Sequence, residues 1–150
     1  MHSEGNNTKS PANWTIRAVT EQDLKVIRSL SISRGFVGSE NTVCIADCLE
    51  LDGKLLLMGG FVIITNCTAW AWVEITEEGI KHINLSYRVV KEWLEKNANI
   101  YGMKRLQAYV LCDFPEAQRF AEHLGFHKEY DKPMKYFTLD SDAFLYIRNF

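Results

Sequence analysis

Hydrophobic and polar residues alternate first over residues 14–19, a period of two that is typical of a β-strand. Thr20 follows in the position of a helix cap, and apolar residues then recur every three to four positions, which predicts a one-sided helix. The preceding residues 1–13 are polar and aperiodic, and they predict a flexible tail. Residues 31–41, with two glycines, predict a loop or a short second helix.

Two further strands are predicted over residues 43–51 and 54–65. The Asp-Gly pair at 52–53 separates them and is a strong signal for a tight hairpin turn. The Gly-Gly pair at 59–60 falls in mid-strand, which indicates a bulge or a close approach of another backbone.

The next strand, over residues 68–76, has two different faces because successive side chains of a strand point to opposite sides. One face carries Trp70, Trp72 and Glu74, and the other carries Ala71, Val73 and Ile75.

The second half of the chain predicts a long helix over residues 78–98, a strand over 105–112 and a helix from Pro115 to Gly125. Two closing strands are expected over residues 126–130 and 134–139. The buried stripe predicted for the long helix consists of Ile80, Ile83, Tyr87, Val90 and Leu94.

The predicted element order is β-α-β-β-β-α-β-α-β-β, which favours an α/β domain with a mixed sheet over a doubly wound parallel one. We expect one domain over residues 14–140. The remaining residues, 141–150, are apolar enough to dock on it, but their pattern assigns no element.

The composition is that of a folded protein, with 47% hydrophobic and 24% charged residues. A formal net charge of -2 provides no basic field for nucleic acid or an anionic membrane surface, so neither is an expected partner. The longest apolar stretch is shorter than the ~20 residues that cross a bilayer, and residues 1–11 lack the apolar core of a secretory signal. We therefore expect a cytoplasmic protein.

The four cysteines are expected to be reduced and structural. Cys44 and Cys48 are four residues apart on a predicted strand, or ~13 Å, which is too far for a disulfide or a shared metal. A metal at His123 and His127 would need a third ligand, and none has a suggestive spacing. We expect no metal site.

One local pattern connects this order to a known family. The predicted strand Leu106–Val110 is followed by a helix over 116–124 that ends in Leu124-Gly125-Phe126. Because this pattern follows the element order given above, it resembles the fifth strand and following helix of the GNAT N-acetyltransferase superfamily. The resemblance covers roughly residues 14–139, and it implies the GNAT fold and acetyl transfer from acetyl-CoA to a primary amine of a small molecule or a protein.

The resemblance also implies a cofactor site. In the family the fourth and fifth strands separate, the pantetheine arm lies between them, and N–H groups at the start of the next helix hold the pyrophosphate. Matched to this sequence, the cofactor-binding candidates are Trp72, Val73, Ile75, Gly79, Ile80, Lys81 and Asp113.

The sequence departs from the family pattern in three places. Glu77 and Glu78 stand where the phosphate loop should bind a polyanion. Phe114 occupies the position of a common Asn, beside Asp113, and Ala121 occupies that of the Tyr that usually protonates the departing thiolate.

Amine acetylation requires a base for the acceptor ammonium, and two residues are candidates. Glu74 lies on the fourth strand beside the implied thioester position; the alternative is an exposed strand carboxylate. His82 qualifies by its ordinary pKa range, and the alternative is plain solvent exposure in a first helical turn.

A narrower likeness rests on the runs Ala71–Glu77 and His123–Tyr130. They are similar to the small internal virion protein of short-tailed bacteriophages, which keeps a GNAT-like pattern with a degenerate phosphate loop. This likeness implies an alternative: a catalytically inactive GNAT-fold protein with a virion-structural or host-interaction role. Its partners would be virion proteins or a second copy of the chain, in the host cytoplasm or the virion.

Overall fold

The computed structural model describes residues 13–30 and 44–150. The predictions for the tail up to residue 12 and for residues 31–41 lie outside the described residues.

The described residues form eight strands and four helices. The strands are β1 (Trp14–Ala18), β2 (Cys44–Leu51), β3 (Lys54–Ile63), β4 (Thr68–Ile75), β5 (Arg105–Leu111), β6 (His127–Lys128), β7 (Met134–Thr138) and β8 (Ser141–Asn149). The helices are α1 (Glu21–Leu30), α2 (Glu77–Lys81), α3 (Ile83–Ile100) and α4 (Pro115–His123). One sheet has the order β1-β2-β3-β4-β5-β8-β6, with β7 paired to β8. The pairing of β4 with β5 is parallel, and the other strand pairs are antiparallel.

The hairpin between β2 and β3 confirms the turn predicted at Asp52 and Gly53. Both residues have positive φ, 49° and 78°, as a two-residue turn of the primed type requires. The glycine pair in β3 marks a close approach of backbones: a Cβ on Gly60 would lie 2.0 Å from the carbonyl oxygen of Ile45. The register irregularity in this hairpin lies elsewhere, between Leu49 and Glu50.

Helix α1 begins with the predicted Thr20 cap, reinforced by a buried carboxylate. The Asp23 N–H donates to Thr20 Oγ1 at 3.3 Å, and the Thr20 N–H donates to Asp23 Oδ2 at 2.7 Å. Arg17 of β1 donates from both terminal nitrogens to Asp23 at 2.7 Å, and also bonds Glu50 of β2. The Arg17 guanidinium holds the pKa of the Asp23 carboxyl well below its usual range. This network fixes α1 to the edge of the sheet.

Asp23→Asn is expected to lower the free energy of unfolding by about 1–2 kcal/mol at pH 7, since half-exposed Arg17 weakens the pair relative to a fully buried one. Because the folded pKa of Asp23 is depressed, its contribution is present above the unfolded value of about 3.9 and is lost as the pH falls below it. Urea unfolding at pH 7 and pH 3 should therefore show a smaller difference from the wild type at pH 3. Glu21→Gln, an exposed acid in the same turn, is the control; an equal loss for both variants would contradict the prediction.

The core is divided between the two faces of the sheet. The larger cluster lies under α3 and α4 and includes Leu106 and Tyr146 of the neighbouring strands β5 and β8. The smaller cluster, under α1, contains Ile27, Cys48 and Met58, with Trp72 packed against it. The predicted alternation of β4 is confirmed: Trp72 packs on the α1 face, whereas its neighbours on the chain pack on the larger cluster.

The long helix predicted over residues 78–98 is two helices, α2 and α3, with His82 between them. The predicted stripe is wrong at its start, since Ile80 is 41% exposed. In α3, Ser86 and Val89 are buried, whereas Ile83, Tyr87 and Val90 of the predicted stripe are half-buried. The reason is tertiary: α2 presents Gly79 to β3, and the break at His82 resets the phase of the helix that follows.

The C-terminal segment is a strand inside the sheet. β8 pairs with β5 along seven residues, from Arg105–Asn149 to Leu111–Ala143, and its other edge pairs with β6. Helix α4 ends at His123, two residues before the predicted Gly125, and Gly125 follows the cap residue Leu124 with a φ of 90°. The Gly125 N–H donates to Glu122 O and the Phe126 N–H to Ala121 O, which is a Schellman cap.

Candidate active site

The two parallel strands separate soon after they begin. Between β4 and β5, the register in the described part of the chain contains three pairs: Thr68 with Arg105, Ala69 with Leu106, and Trp70 with Gln107. β4 continues to Ile75 and β5 to Leu111. The wedge between them therefore opens toward the carboxyl ends of both strands, where α2 and α4 begin. Such crevices are the usual ligand sites of sheets with parallel strands.

An aromatic row crosses from β4 to β5 where their pairing ends. The rings of Trp70 and Tyr109 are stacked with centroids 4.4 Å apart, and Phe137 of β7 lies 4.8 Å beyond Tyr109. Trp70 shares the face of β4 that carries Trp72 and Glu74. Sequence reasoning missed Tyr109 and Phe137 because joining them to Trp70 requires knowing which strands are neighbours.

Glu74 lies on the β4 wall of the wedge and is 4% exposed. Its register partner on β3 is Met58, a member of the cluster under α1, so Glu74 faces the α1 side of the sheet. A buried carboxylate on the wall of an open wedge is a candidate general base by its position. The alternative of an exposed strand carboxylate is excluded by this burial.

The indole N–H of Trp72 is the second polar group on this wall. It is buried, and among the residues that the structure describes it has no oxygen or nitrogen acceptor. Its neighbour is the thiol of Cys44 on β2, a weak acceptor: burial raises the pKa of Cys44, and the hydrogen bond with Trp72 lowers it. Because β2 and β5 lie on opposite sides of β4, this N–H is directed away from the wedge.

The segment predicted to hold phosphates forms the closed helix α2. Thr76 caps it, with Oγ1 accepting from Gly79 N at 3.1 Å. The N–H groups of Ile80 and His82 donate to Thr76 O and Glu78 O, both at 3.1 Å. Three of the amides in this segment are therefore already engaged within the chain.

Gly79 is buried against β3. A Cβ on it would lie 2.3 Å from the carbonyl oxygen of Leu56, and its own carbonyl accepts from Ser86 Oγ at 3.1 Å. The only polar atoms of this glycine are thus both occupied.

The charges of this segment are mainly acidic. Lys81 Nζ lies 3.1 Å from Glu78 Oε1, and this hydrogen bond lowers the pKa of Glu78. Glu77 is exposed in the first turn of α2, and His82 is exposed at the junction with α3. Lys81 therefore neutralises Glu78. Of the two candidates for the general base, His82 is exposed and Glu74 is buried in the sheet.

The other side of the wedge ends in a turn of three residues. Asp113 is exposed there, and Phe114 is the cap residue of α4. Gln118 closes the turn by donating to the carbonyl oxygens of Leu111 and Cys112, each at 3.1 Å. Burial raises the pKa of the Cys112 thiol, which suits a structural role better than a reactive one.

Ala121, at the position of the family's Tyr, is buried in the core. Sequence reasoning missed the buried hydroxyl nearby. Tyr146 Oη donates to Glu122 Oε1 at 3.3 Å, and burial, with the Glu122 charge, raises the pKa of Tyr146 to about 12.

Residues 13–30 and 44–150 contain neither a metal centre nor a membrane-spanning helix. This part of the chain contains no group of three or more His, Cys, Asp and Glu side chains placed to hold a metal ion. None of its helices is long and apolar enough to cross a membrane.

Comparison with known proteins identifies this geometry. The ribosomal-protein-S18-alanine N-acetyltransferase from Escherichia coli superposes with a TM-score of 0.70 at 19% identity, covering 91% of this chain and 94% of that chain. A spermidine N-acetyltransferase variant from Vibrio cholerae gives a TM-score of 0.72 at 16% identity, covering 91% and 93%. The fold is that of the GNAT N-acetyltransferases.

The GNAT fold confirms the predicted fold class, a mixed α/β sheet with the implied separation of its fourth and fifth strands. No protein-family model matches the sequence, and no curated protein matches it either. The candidates Trp72, Val73 and Ile75 lie on the β4 wall, Asp113 lies beyond the end of β5, and Gly79, Ile80 and Lys81 lie in α2.

Proposed function

We propose that this chain is a GNAT-type N-acyltransferase, which transfers an acetyl group from acetyl-CoA to a primary amine. The observation that carries the proposal is the separation of β4 from β5 after Trp70 and Gln107, with the buried carboxylate of Glu74 on the wall of the wedge. A wedge between two strands that separate suits an extended ligand in its shape.

The residues present fit one part of acetyl-CoA. The β4 wall, from Trp72 to Ile75, and the end of β5 near Asp113 would hold the pantetheine arm. The diphosphate does not fit the α2 segment, where three amides are engaged and two acids stand.

The chemistry required of the protein is small. A thioester bound in the wedge supplies an acetyl group whose C–S bond breaks as the amine nitrogen forms the amide bond. Glu74 accepts one proton of the acceptor ammonium, and the second proton leaves with the thiol. The Glu74 carboxylate would also attract a cationic acceptor, and this attraction is stronger in a buried site than in water.

The acceptor is proposed to approach from the α1 side of the sheet. Glu74 faces this side. The stacked rings of Trp70 and Tyr109 cover the same side of the sheet at the closed end of the wedge. An aromatic face and a carboxylate on the same side of the sheet suit a cationic amine, of a small molecule or of a protein side chain. The proposed location is cytoplasmic.

Calorimetric titration of acetyl-CoA into the full chain tests this function, with desulfo-CoA as a second ligand. We expect binding of both in the micromolar range, roughly −8 kcal/mol, because the wedge does not depend on the thioester itself. Heat with both ligands justifies a screen of amine acceptors. Absence of heat at millimolar concentration of either ligand would contradict the proposal.

The closed α2 segment and the buried Ala121 favour a second candidate, a GNAT-fold protein without catalysis that has a virion-structural or host-interaction role. Its partners are proposed to be a virion protein, a host protein or a second copy of the chain. The same titration separates the two: the second candidate predicts no heat with acetyl-CoA, and its mass in solution would then be measured with and without virion proteins.

A further inference from the structure

In α2, the amide of the only glycine in the segment predicted to hold phosphates is engaged within the chain. Anions bind at a helix start when its N–H groups point outward at the ligand. In α2 the Gly79 N–H donates to Thr76 Oγ1, and those of Ile80 and His82 donate to backbone oxygens. Rotating the Gly79 amide outward would also break the cap that Thr76 provides.

Thr76, the residue that caps α2, is itself hydrogen-bonded to β3. Thr76 Oγ1 lies 2.8 and 2.9 Å from the carbonyl oxygens of Leu55 and Leu56, and the Thr76 N–H donates to Leu56 O at 2.9 Å. With Gly79 packed on the same Leu56 carbonyl, α2 has no room to shift toward β3. The engaged amides are therefore part of the packing between α2 and the sheet.

Side-chain charge does not replace the amides. Lys81 is paired with Glu78, and Glu77 adds a second acid to the same turn. Arg105, at the start of β5, donates to Glu129 from two nitrogens, one of them at 3.0 Å. Since Lys81 offsets only one of the two acids, Glu77 leaves this turn with an excess negative charge, which disfavours a diphosphate.

We propose that this site recognises its donor as an acyl-pantetheine thioester and draws no net affinity from the nucleotide diphosphate. The inference rests on the proposed N-acyltransferase function and names its donor class. Two natural sources share this chemistry: acyl-CoA, and the acyl-phosphopantetheine arm of a carrier protein. The wedge holds the arm, and the nucleotide extends past α2 into solvent.

The test is a set of calorimetric titrations of the full chain with S-acetylpantetheine, acetyl-CoA and adenosine 5′-diphosphate. We expect the two thioesters to bind within about threefold of each other and adenosine 5′-diphosphate not to bind or compete, since recognised charge-assisted contacts would contribute about tenfold or more. If acetyl-CoA binds more than tenfold tighter and adenosine 5′-diphosphate competes, the inference is overturned while the proposed function stands. If neither thioester binds, the proposed function fails and the inference falls with it.

A carrier protein loaded with acetyl-phosphopantetheine separates the two sources. Binding tighter than that of S-acetylpantetheine would identify the carrier-bound arm as the donor, because the added affinity must come from the carrier surface. Equal or weaker binding of the loaded carrier protein would identify acyl-CoA as the donor.

The double substitution Glu77→Gln with Glu78→Gln tests the electrostatic part. Its expected effect is a gain of about threefold to tenfold in affinity for acetyl-CoA at low ionic strength, lost on adding salt. Affinity for S-acetylpantetheine should not change. Glu92→Gln, an exposed acid on α3, is the matched control and should affect neither ligand. An unchanged affinity of the double variant for acetyl-CoA would contradict the role of these acids.

Discussion

Replacing Glu74 with Gln is expected to lower kcat by about 10²- to 10⁴-fold, the usual contribution of a general base. The amide keeps the shape of the side chain but cannot accept the proton of the acceptor ammonium. Affinity for the thioester, measured by calorimetry, should change little. The measurement is steady-state acetylation of an amine found by the acceptor screen.

The physical basis of this expectation is the position of the carboxylate. Glu74 is 4% exposed, faces the α1 side and lies two residues from Trp72 on the wall of the wedge. A base in such a place acts on an acceptor from which water is excluded, whereas an exposed carboxylate competes with solvent.

Three comparisons make the result interpretable. Glu92→Gln makes the same chemical change on exposed α3 and should leave kcat unchanged. Thermal unfolding of Glu74→Gln must show a folded protein, since the change is buried. His82→Gln separates the two base candidates: a large loss there, with none at Glu74, would assign the base to His82 and refute the role given to Glu74.

Much of the fold was predictable because its signals are local. The Asp52–Gly53 turn requires positive φ at both residues, and the end of α4 requires it at Gly125. Alternation along β4 correctly separated the Trp72 side from the core side. Each of these features depends on residues within a few positions along the chain, so no knowledge of the tertiary structure was needed.

The position of β8 could not be predicted in this way. Ala143 and Ile147 on one face of this strand, Ser141–Asn149, and Tyr146 on the other are all buried, because the strand is inserted between β5 and β6. A short apolar run of this kind fits a buried strand and a docked helix equally well. The segment becomes a strand because it pairs with β5, which lies more than 30 residues earlier in the chain.

The wedge was implied by the resemblance, whereas the closure of α2 was not expected. A local signal for it was present: Thr76 followed by Glu77 and Glu78 is the pattern of a capped helix start with an acidic first turn. The acids that disfavour a phosphate thus favour the helix dipole of α2. What the sequence could not provide is the contact of Gly79 with β3, which is long-range.

Gly79→Ala is expected to lower the free energy of unfolding by about 3 kcal/mol, a large effect for the addition of one methyl group. The new Cβ would lie 2.3 Å from Leu56 O and 2.6 Å from Ile75 Cγ1. Leu56 O cannot retreat without breaking its hydrogen bonds from Thr76. Since Ala in an open helix would be more stable than Gly by about 1 kcal/mol, packing must reverse the sign. Urea unfolding measures the difference.

Gly102→Ala is the matched control, because a Cβ there meets nothing within 4 Å and only the φ of 69° opposes it. Its expected cost is about 1 kcal/mol. The pair also separates two roles for Gly79. A packing role predicts a large loss of stability. A phosphate-binding role predicts near-normal unfolding with weaker binding of acetyl-CoA and unchanged binding of S-acetylpantetheine. That second pattern would mean that the α2 amides open toward the nucleotide, and it would refute the donor class inferred from their present hydrogen bonds.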